Sequence, residues 1–205
     1  EEVKAKISDV LSFSRVDEIL IEEYYENDEI TVSGWVVNGR VYILTVTDRV
    51  TYDNYPNIGI CIAHDFPSKH LKANYEEIFS ITDNIVQAFN IKNGPIYFQM
   101  LVGNDGIKAN EIACRLGGAY EDDIIPILTG VEILDMLIDE TLGIKIDETS
   151  LKHYDLAKNN KVSTVQLFFA RPGKVVELVD LKKINDLPGV QGLDLIIMLM
   201  MKYKK

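Results

Sequence analysis

Three side chains in the middle of this 205-residue chain have the types and spacing of a cation-and-phosphate site: Gln99, Glu111 and Arg115. They fall on two strand-like runs, 96–102 and 107–115, opened by Gly94-Pro95 and joined by Asn104-Asp105-Gly106, a hairpin signal. Side chains on a strand alternate between faces, so Glu111, Ala113 and Arg115 share one face and Gln99 can lie opposite them. Mg²⁺ takes oxygen ligands from one or two carboxylates together with substrate phosphates. An arginine beside it can hold a phosphoryl group in transfer. Gly117-Gly118 ends the ladder just past Arg115.

A second cluster lies upstream, at residues 19–29 (ILIEEYYENDE). An apolar run leads into the acid pair Glu22-Glu23, then Tyr24-Tyr25, then a turn and the acids Asp28 and Glu29. Carboxylates accept hydrogen bonds from amino groups and from sugar hydroxyls alike. Alone, each cluster reads as an exposed acid pair or a cross-strand ion pair. Together, and in this order, they carry a more specific reading.

The hairpin resembles the metal-binding hairpin of the ATP-grasp superfamily, which includes biotin carboxylase, carbamoyl phosphate synthetase and D-alanine ligase. In that family a Glu on the first strand and Glu-x-Asn-x-Arg on the second hold Mg²⁺ and the phosphates. Glu111 and Arg115 match the second Glu and the Arg, Gln99 stands in place of the first Glu, and Ala113 in place of the Asn. The resemblance therefore implies Gln99 and Glu111 as metal ligands and Arg115 as the catalytic cation. The two departures imply a weaker metal site, unless Glu121, Asp122 or Asp123 compensates.

The upstream cluster is similar to the family's hinge strand. That implies adenine at Glu22 or Glu23 and at the backbone of Tyr24 and Tyr25, with ribose at Glu29. The implied activity is an ATP-dependent ligase that activates a carboxylate as an acyl phosphate and joins it to an amine or related nucleophile. Alternatives are a non-catalytic nucleotide- or partner-binding domain and an ATP-grasp kinase. ATP and Mg²⁺ are the implied cofactors. The family's nucleotide-covering N-terminal lobes are implied partners, lying upstream, so the chain reads as the C-terminal part of an enzyme and is expected to bind ATP poorly and turn over nothing alone.

Positioning these residues requires an α+β fold, an antiparallel sheet flanked by helices, with a small α+β lobe appended. Residues 3–13 have helical periodicity, and 18–25 read as a short strand. Runs 29–37 and 40–50 are joined by Asn38-Gly39, the strongest hairpin signal in the sequence. A strand at 58–63, a helix at 75–89 and a helix at 131–142 follow, the last with Leu134, Leu137 and Ile138 facing inward. The division falls after residue 143. Beyond it, strands at 162–170 and 175–179 around Arg171-Pro172-Gly173, a helix at 181–186 and a closing strand at 193–201 are expected.

Other polar residues read less sharply. His64 reads as a surface histidine, Lys69 as a phosphate- or substrate-facing residue, Asp48-Arg49 as a strand-end pair and Trp35 as core. A net charge of −11 argues against a nucleic-acid surface. The longest apolar run, 195–201, is far shorter than the ~20 residues of a membrane span. Two cysteines without paired spacing fit a reducing, cytoplasmic setting. A sheet edge or the 195–201 run could pair two copies as a homodimer.

Overall fold

A computed structural model describes residues 2–52, 59–169, 173, 174, 177 and 180–193. The chain divides into two compact units, Glu1–Phe168 and Phe169–Lys205. The first begins with helix α1 (Glu2–Leu11) and is built on β1 (Asn27–Val37) and β2 (Arg40–Thr51). Asn38 and Gly39 both have positive φ, 51° and 79°, as a two-residue turn needs to match the twist of its strands.

Strand β3 (Cys61–Phe66) pairs with β2, helix α2 (Leu71–Ala88) crosses over, and β4 (Gly94–Gly103) returns beside β1. Strand β5 (Gly106–Ala113) pairs with β4, and helices α3 (Glu121–Thr129), α4 (Ile133–Thr141) and α5 (Thr149–His153) follow. Strand β6 (Ser163–Gln166) closes the sheet beside β3, giving the antiparallel order β5-β4-β1-β2-β3-β6. The α+β expectation holds: a six-stranded antiparallel sheet with flanking helices.

Strand alternation divides the sheet into two faces. Ile30, Val32, Val46, Phe98 and Met100 form one core with Ile78 and Val86 of α2. On the opposite face, Trp35 and Leu44 form a second core with Ile125 of α3 and Ile133 and Met136 of α4. A bulge makes this possible: Ser33 pairs with Thr45 but Gly34 with Ile43, so Leu44 is an extra residue turned to that face. A Cβ at Gly34 would stand 2.3 Å from the Tyr42 carbonyl oxygen, so only glycine fits the bulge.

Several expectations change. Residues 18–25 form no strand; the β1 ladder starts at Asn27, where β4 supplies a partner. On α4 Leu137 packs against the core as expected, with Ile133 and Met136 beside it, while Leu134 and Ile138 are 41% and 49% exposed. The apolar stripe is wide enough to suit either face, and contact with α3 and the sheet selects one. The expected boundary after 143 is not a break in the fold, because β6 returns to the sheet and joins residues 144–168 to the first unit. In the second unit, α6 (Leu181–Asn185) is capped by the Asp180 side chain, which accepts from the Lys182 N–H. Residue 58 at the start of the expected third strand, most of the 171–179 hairpin and residues 194–201 of the closing strand lie outside the described residues. No described helix is long and apolar enough to cross a membrane.

Candidate functional site

Between its two apolar regions the sheet carries a polar row. Glu111 on β5 pairs with Gln99 on β4, Gln99 with Thr31 on β1, and Thr31 with Thr47 on β2. Directly paired residues share a face. Glu29, two residues from Thr31, is therefore on the same face, and so is Arg49, which makes an ion pair with it. Arg49 pairs in turn with His64 on β3.

Much of this row is buried. Thr31, Ser33, Thr45 and His64 are closed off from solvent, and Thr31 Oγ1 has no hydrogen-bond partner among the described residues. Burial pushes the His64 imidazole down to about 4, helped by the Arg49 charge, so it is neutral at physiological pH. Its Nδ1 lies 3.3 Å from Thr47 Oγ1 and its Nε2 3.3 Å from Cys61 Sγ. The expectation of a surface histidine is thus corrected: position 64 alternates inward on a strand flanked on both sides.

Arg115 lies just past the end of β5. Its guanidinium sits 5.1 Å from the centroid of the Tyr97 ring and donates to the Leu116 carbonyl at 2.9 Å. Tyr97 pairs with Ala113, so Arg115 stands over the same face as Glu111 and Gln99. The bulge between Gln99 and Met100 keeps Glu111 opposite Gln99 despite the short turn.

The donor set fits a hard cation that arrives with phosphate oxygens. No group of three or more His, Cys, Asp or Glu suited to a metal exists among the described residues. One carboxylate facing one amide, beside an unpartnered threonine hydroxyl, leaves several octahedral positions to a nucleotide and water, as Mg²⁺ tolerates. Glu121 does not supply the missing acid. It is 6% exposed and uses both oxygens internally, accepting from the Ser33 hydroxyl and, at 2.6 Å, from the Gly117 N–H.

The upstream cluster is open and tethered at one end. Leu20 is 82% and Tyr24 93% exposed, and Glu22 is exposed too. Glu23 pairs with Lys108 of β5, whose hydrogen bond and charge hold its carboxyl below the usual range. The Tyr25 hydroxyl donates to the Gly106 carbonyl at 2.7 Å and accepts from the Asp105 N–H at 3.2 Å. A Cβ at Gly103 would stand 2.6 Å from the Tyr25 ring, so the glycine admits it. The 19–25 segment is thereby fastened to the turn of the β4–β5 hairpin, a side-chain role that the local pattern does not reveal.

Lys69 is elsewhere. Its Nζ lies 3.0 Å from Asp28, which His70 Nε2 also meets at 2.8 Å. Asp28 alternates away from Glu29, toward the start of α2, where Asp48 also accepts from Ser68 Oγ at 2.6 Å. These groups anchor α2 on the reverse face of the sheet.

A family model described as the ATP-grasp domain matches residues 2–123, more than half of the chain. No curated protein matches the sequence. Among solved structures, phosphoribosylglycinamide synthetase from Anaerococcus prevotii aligns with TM-score 0.61 and 16% identity, over 80% of this chain and 40% of that one. A biotin carboxylase from Campylobacter jejuni, solved as a β,γ-ATP complex, aligns with TM-score 0.55 and 18% identity, over 70% of this chain and 30% of that one. An L-amino acid ligase from Bacillus licheniformis aligns with TM-score 0.52 and 16% identity, over 58% of this chain and 30% of that one. The chain thus spans 30 to 40% of the length of these structures, and at such identities the likeness is one of fold. With the family model covering both clusters and the sheet between them, the chain belongs to the ATP-grasp family.

Proposed function

We propose that this chain is the C-terminal part of a Mg·ATP-dependent ligase that activates a carboxylate as an acyl phosphate and joins it to an amine or related nucleophile. The observation that carries this reading is the direct cross-strand pairing of Gln99 with Glu111, on one face with Glu29 and beneath Arg115. Glu111 and Gln99 would hold Mg²⁺, which when bound neutralises the phosphates and lets an anionic substrate approach them. Arg115 would meet the negative charge of the phosphoryl group in transfer, and its planar fork suits that group.

Glu29 offers Oε1 to ribose hydroxyls while Oε2 meets Arg49. Residues 19–24 have no ladder partner among the described residues, which leaves backbone donors and acceptors for the edge of an adenine. Glu22 or Glu23 would take its amino group; Glu22 has the freer carboxylate, since Lys108 occupies Glu23. The exposure of Leu20, Ile21 and Tyr24 supports a further proposal, that N-terminal lobes of the same enzyme cover this segment and complete the nucleotide site. The chain by itself then binds nucleotide weakly, and the reaction belongs in the cytoplasm with small-molecule substrates.

The test is isotopic. With ¹⁸O in the substrate carboxylate, the intact enzyme should release phosphate carrying one ¹⁸O, because the carboxylate oxygen leaves with the phosphoryl group. Arg115→Ala should lower kcat by about 10²–10³, as loss of a preorganised charge donor does. Phosphate without ¹⁸O would sink the acyl-phosphate route. Gln99 and Ala113 favour one other reading, nucleotide binding without turnover, which predicts saturable ATP binding and no ADP under any substrate mixture.

A further inference from the structure

We infer that Glu121 is the positioning residue for Arg115: its carboxylate ties the turn at residues 116–118 to the polar face of the sheet and so sets where the guanidinium stands. The inference deepens the phosphoryl-transfer reading of Arg115 and rests on it for its functional meaning.

The contacts close a ring. Arg115 lies over Tyr97 and donates to the Leu116 carbonyl. Tyr97 on β4 pairs with Ser33 on β1. The Ser33 hydroxyl donates to Glu121 Oε1, and Glu121 Oε2 accepts from the Gly117 N–H at 2.6 Å, returning to the residue after Leu116. The turn is wedged as well as bonded: a Cβ at Gly117 would stand 2.5 Å from the Tyr97 ring and 2.6 Å from Glu121 Cδ. Glu121 thus reaches from the first turn of α3 to a central strand and holds, on the way, the peptide two residues from Arg115.

Keeping a carboxylate in this position has a cost that a packing role does not require. Burial raises its pKa, opposed by the Ser33 and Gly117 hydrogen bonds and by the Arg115 charge, with Asp122 adding to the rise. An apolar side chain would fill the space without that cost, but it would release Gly117 and the hydroxyl of Ser33 together. With both oxygens held inside the fold, Glu121 acts on the reaction through Arg115 and not on substrate.

The test is ¹H–¹⁵N NMR of the whole chain, read at the Arg115 Nε–H and the Gly117 amide. In the wild type the Arg115 resonance should be displaced by the Tyr97 ring current and the Gly117 amide shifted downfield by its short charge-assisted bond. Glu121→Gln, which can still accept from Gly117, should keep the Arg115 displacement. Glu121→Ala should move Arg115 to the position of a solvated arginine while the amides of the β1–β2 hairpin stay in place. Ser33→Ala, which removes one anchor only, should give a smaller displacement in the same direction and serves if Glu121→Ala fails to fold. An Arg115 resonance unmoved in Ser33→Ala, or unmoved in Glu121→Ala with only a lower melting midpoint, would overturn the proposal. These readouts need no nucleotide, so a protein that never forms ADP can still uphold the positioning role, and one that does can still refute it.

Discussion

The two faces of the sheet are built from the same strands, one residue out of step, yet they do different work. Toward α2, Ile30, Val32, Val46, Phe98 and Met100 are buried among apolar partners. Toward the other side their immediate neighbours are Thr31, Ser33, Thr45, Thr47 and Gln99, with Glu111 beside them. Burying the first set removes apolar surface from water, at about 25 cal/mol per Å². Burying the second set gains little, and a hydroxyl left without a partner costs free energy. The α2 face, together with the Trp35 and Leu44 core beyond the bulge, therefore supplies stability and leaves this stretch of the other face free to hold polar groups that packing alone would not select.

The comparison breaks most visibly at Phe98. Phe98→Ala should cost about 4 kcal/mol of stability, read from urea unfolding, because the cavity opens in a core that cannot collapse around it. A loss near zero would mean that the α2 face contributes little stability.

His64 on the polar face gives the next largest effect, and it depends on pH. Its imidazole falls from an ordinary 6.5 to about 4 on folding. The unfolded chain therefore takes up the proton first, so the stability is fully present above pH 6.5 and is lost as pH falls toward 4. The total is about 3 kcal/mol, from the size of the shift. Glu121, held above the usual carboxylate range by burial, tilts the curve the opposite way, losing stability as pH rises. The comparison is thus between wild type and His64→Gln, whose curve should lack the loss between pH 6.5 and 4. Superimposable curves would show that His64 is not held neutral.

The smallest effect sharpens the contrast. Thr31→Val replaces a buried hydroxyl, without a partner among the described residues, by a methyl group and should raise stability by about 1 kcal/mol. A loss of similar size would mean that the hydroxyl has an internal partner and that the polar row is a satisfied part of the core.

Local chemistry made the hairpins readable. Asn38-Gly39 demands two positive φ values, and Asn104-Asp105-Gly106 sets the β4–β5 register at the turn, which the bulge between Gln99 and Met100 then shifts by one residue to bring Gln99 against Glu111. What escaped the sequence depends on partners far along the chain. Residues 18–25 have a strand's composition but no strand beside them to pair with among the described residues. Helix α3 begins with three acids and carries Pro126 inside, so it has a loop's composition, although acids suit a helix N-terminus. The Glu29–Arg49 pair, the Tyr25 tether and the Glu121 clamp join residues 20, 81 and 88 positions apart, distances over which periodicity carries no information. Alternation puts Asp28 on the reverse face, and Lys69 joins it there through an ion pair that the sequence does not signal.

On the function proposed above, the polar face holds nucleotide-borne metal at Gln99 and Glu111. Paramagnetic broadening of backbone amides by Mn²⁺, with and without millimolar ATP, tests it most directly. Broadening should centre on Gln99 and Glu111 when ATP is present, be weak with Mn²⁺ alone, and vanish in Glu111→Gln. Broadening centred on Asp28 and Asp48 at the start of α2, or unchanged in Glu111→Gln, would contradict the account.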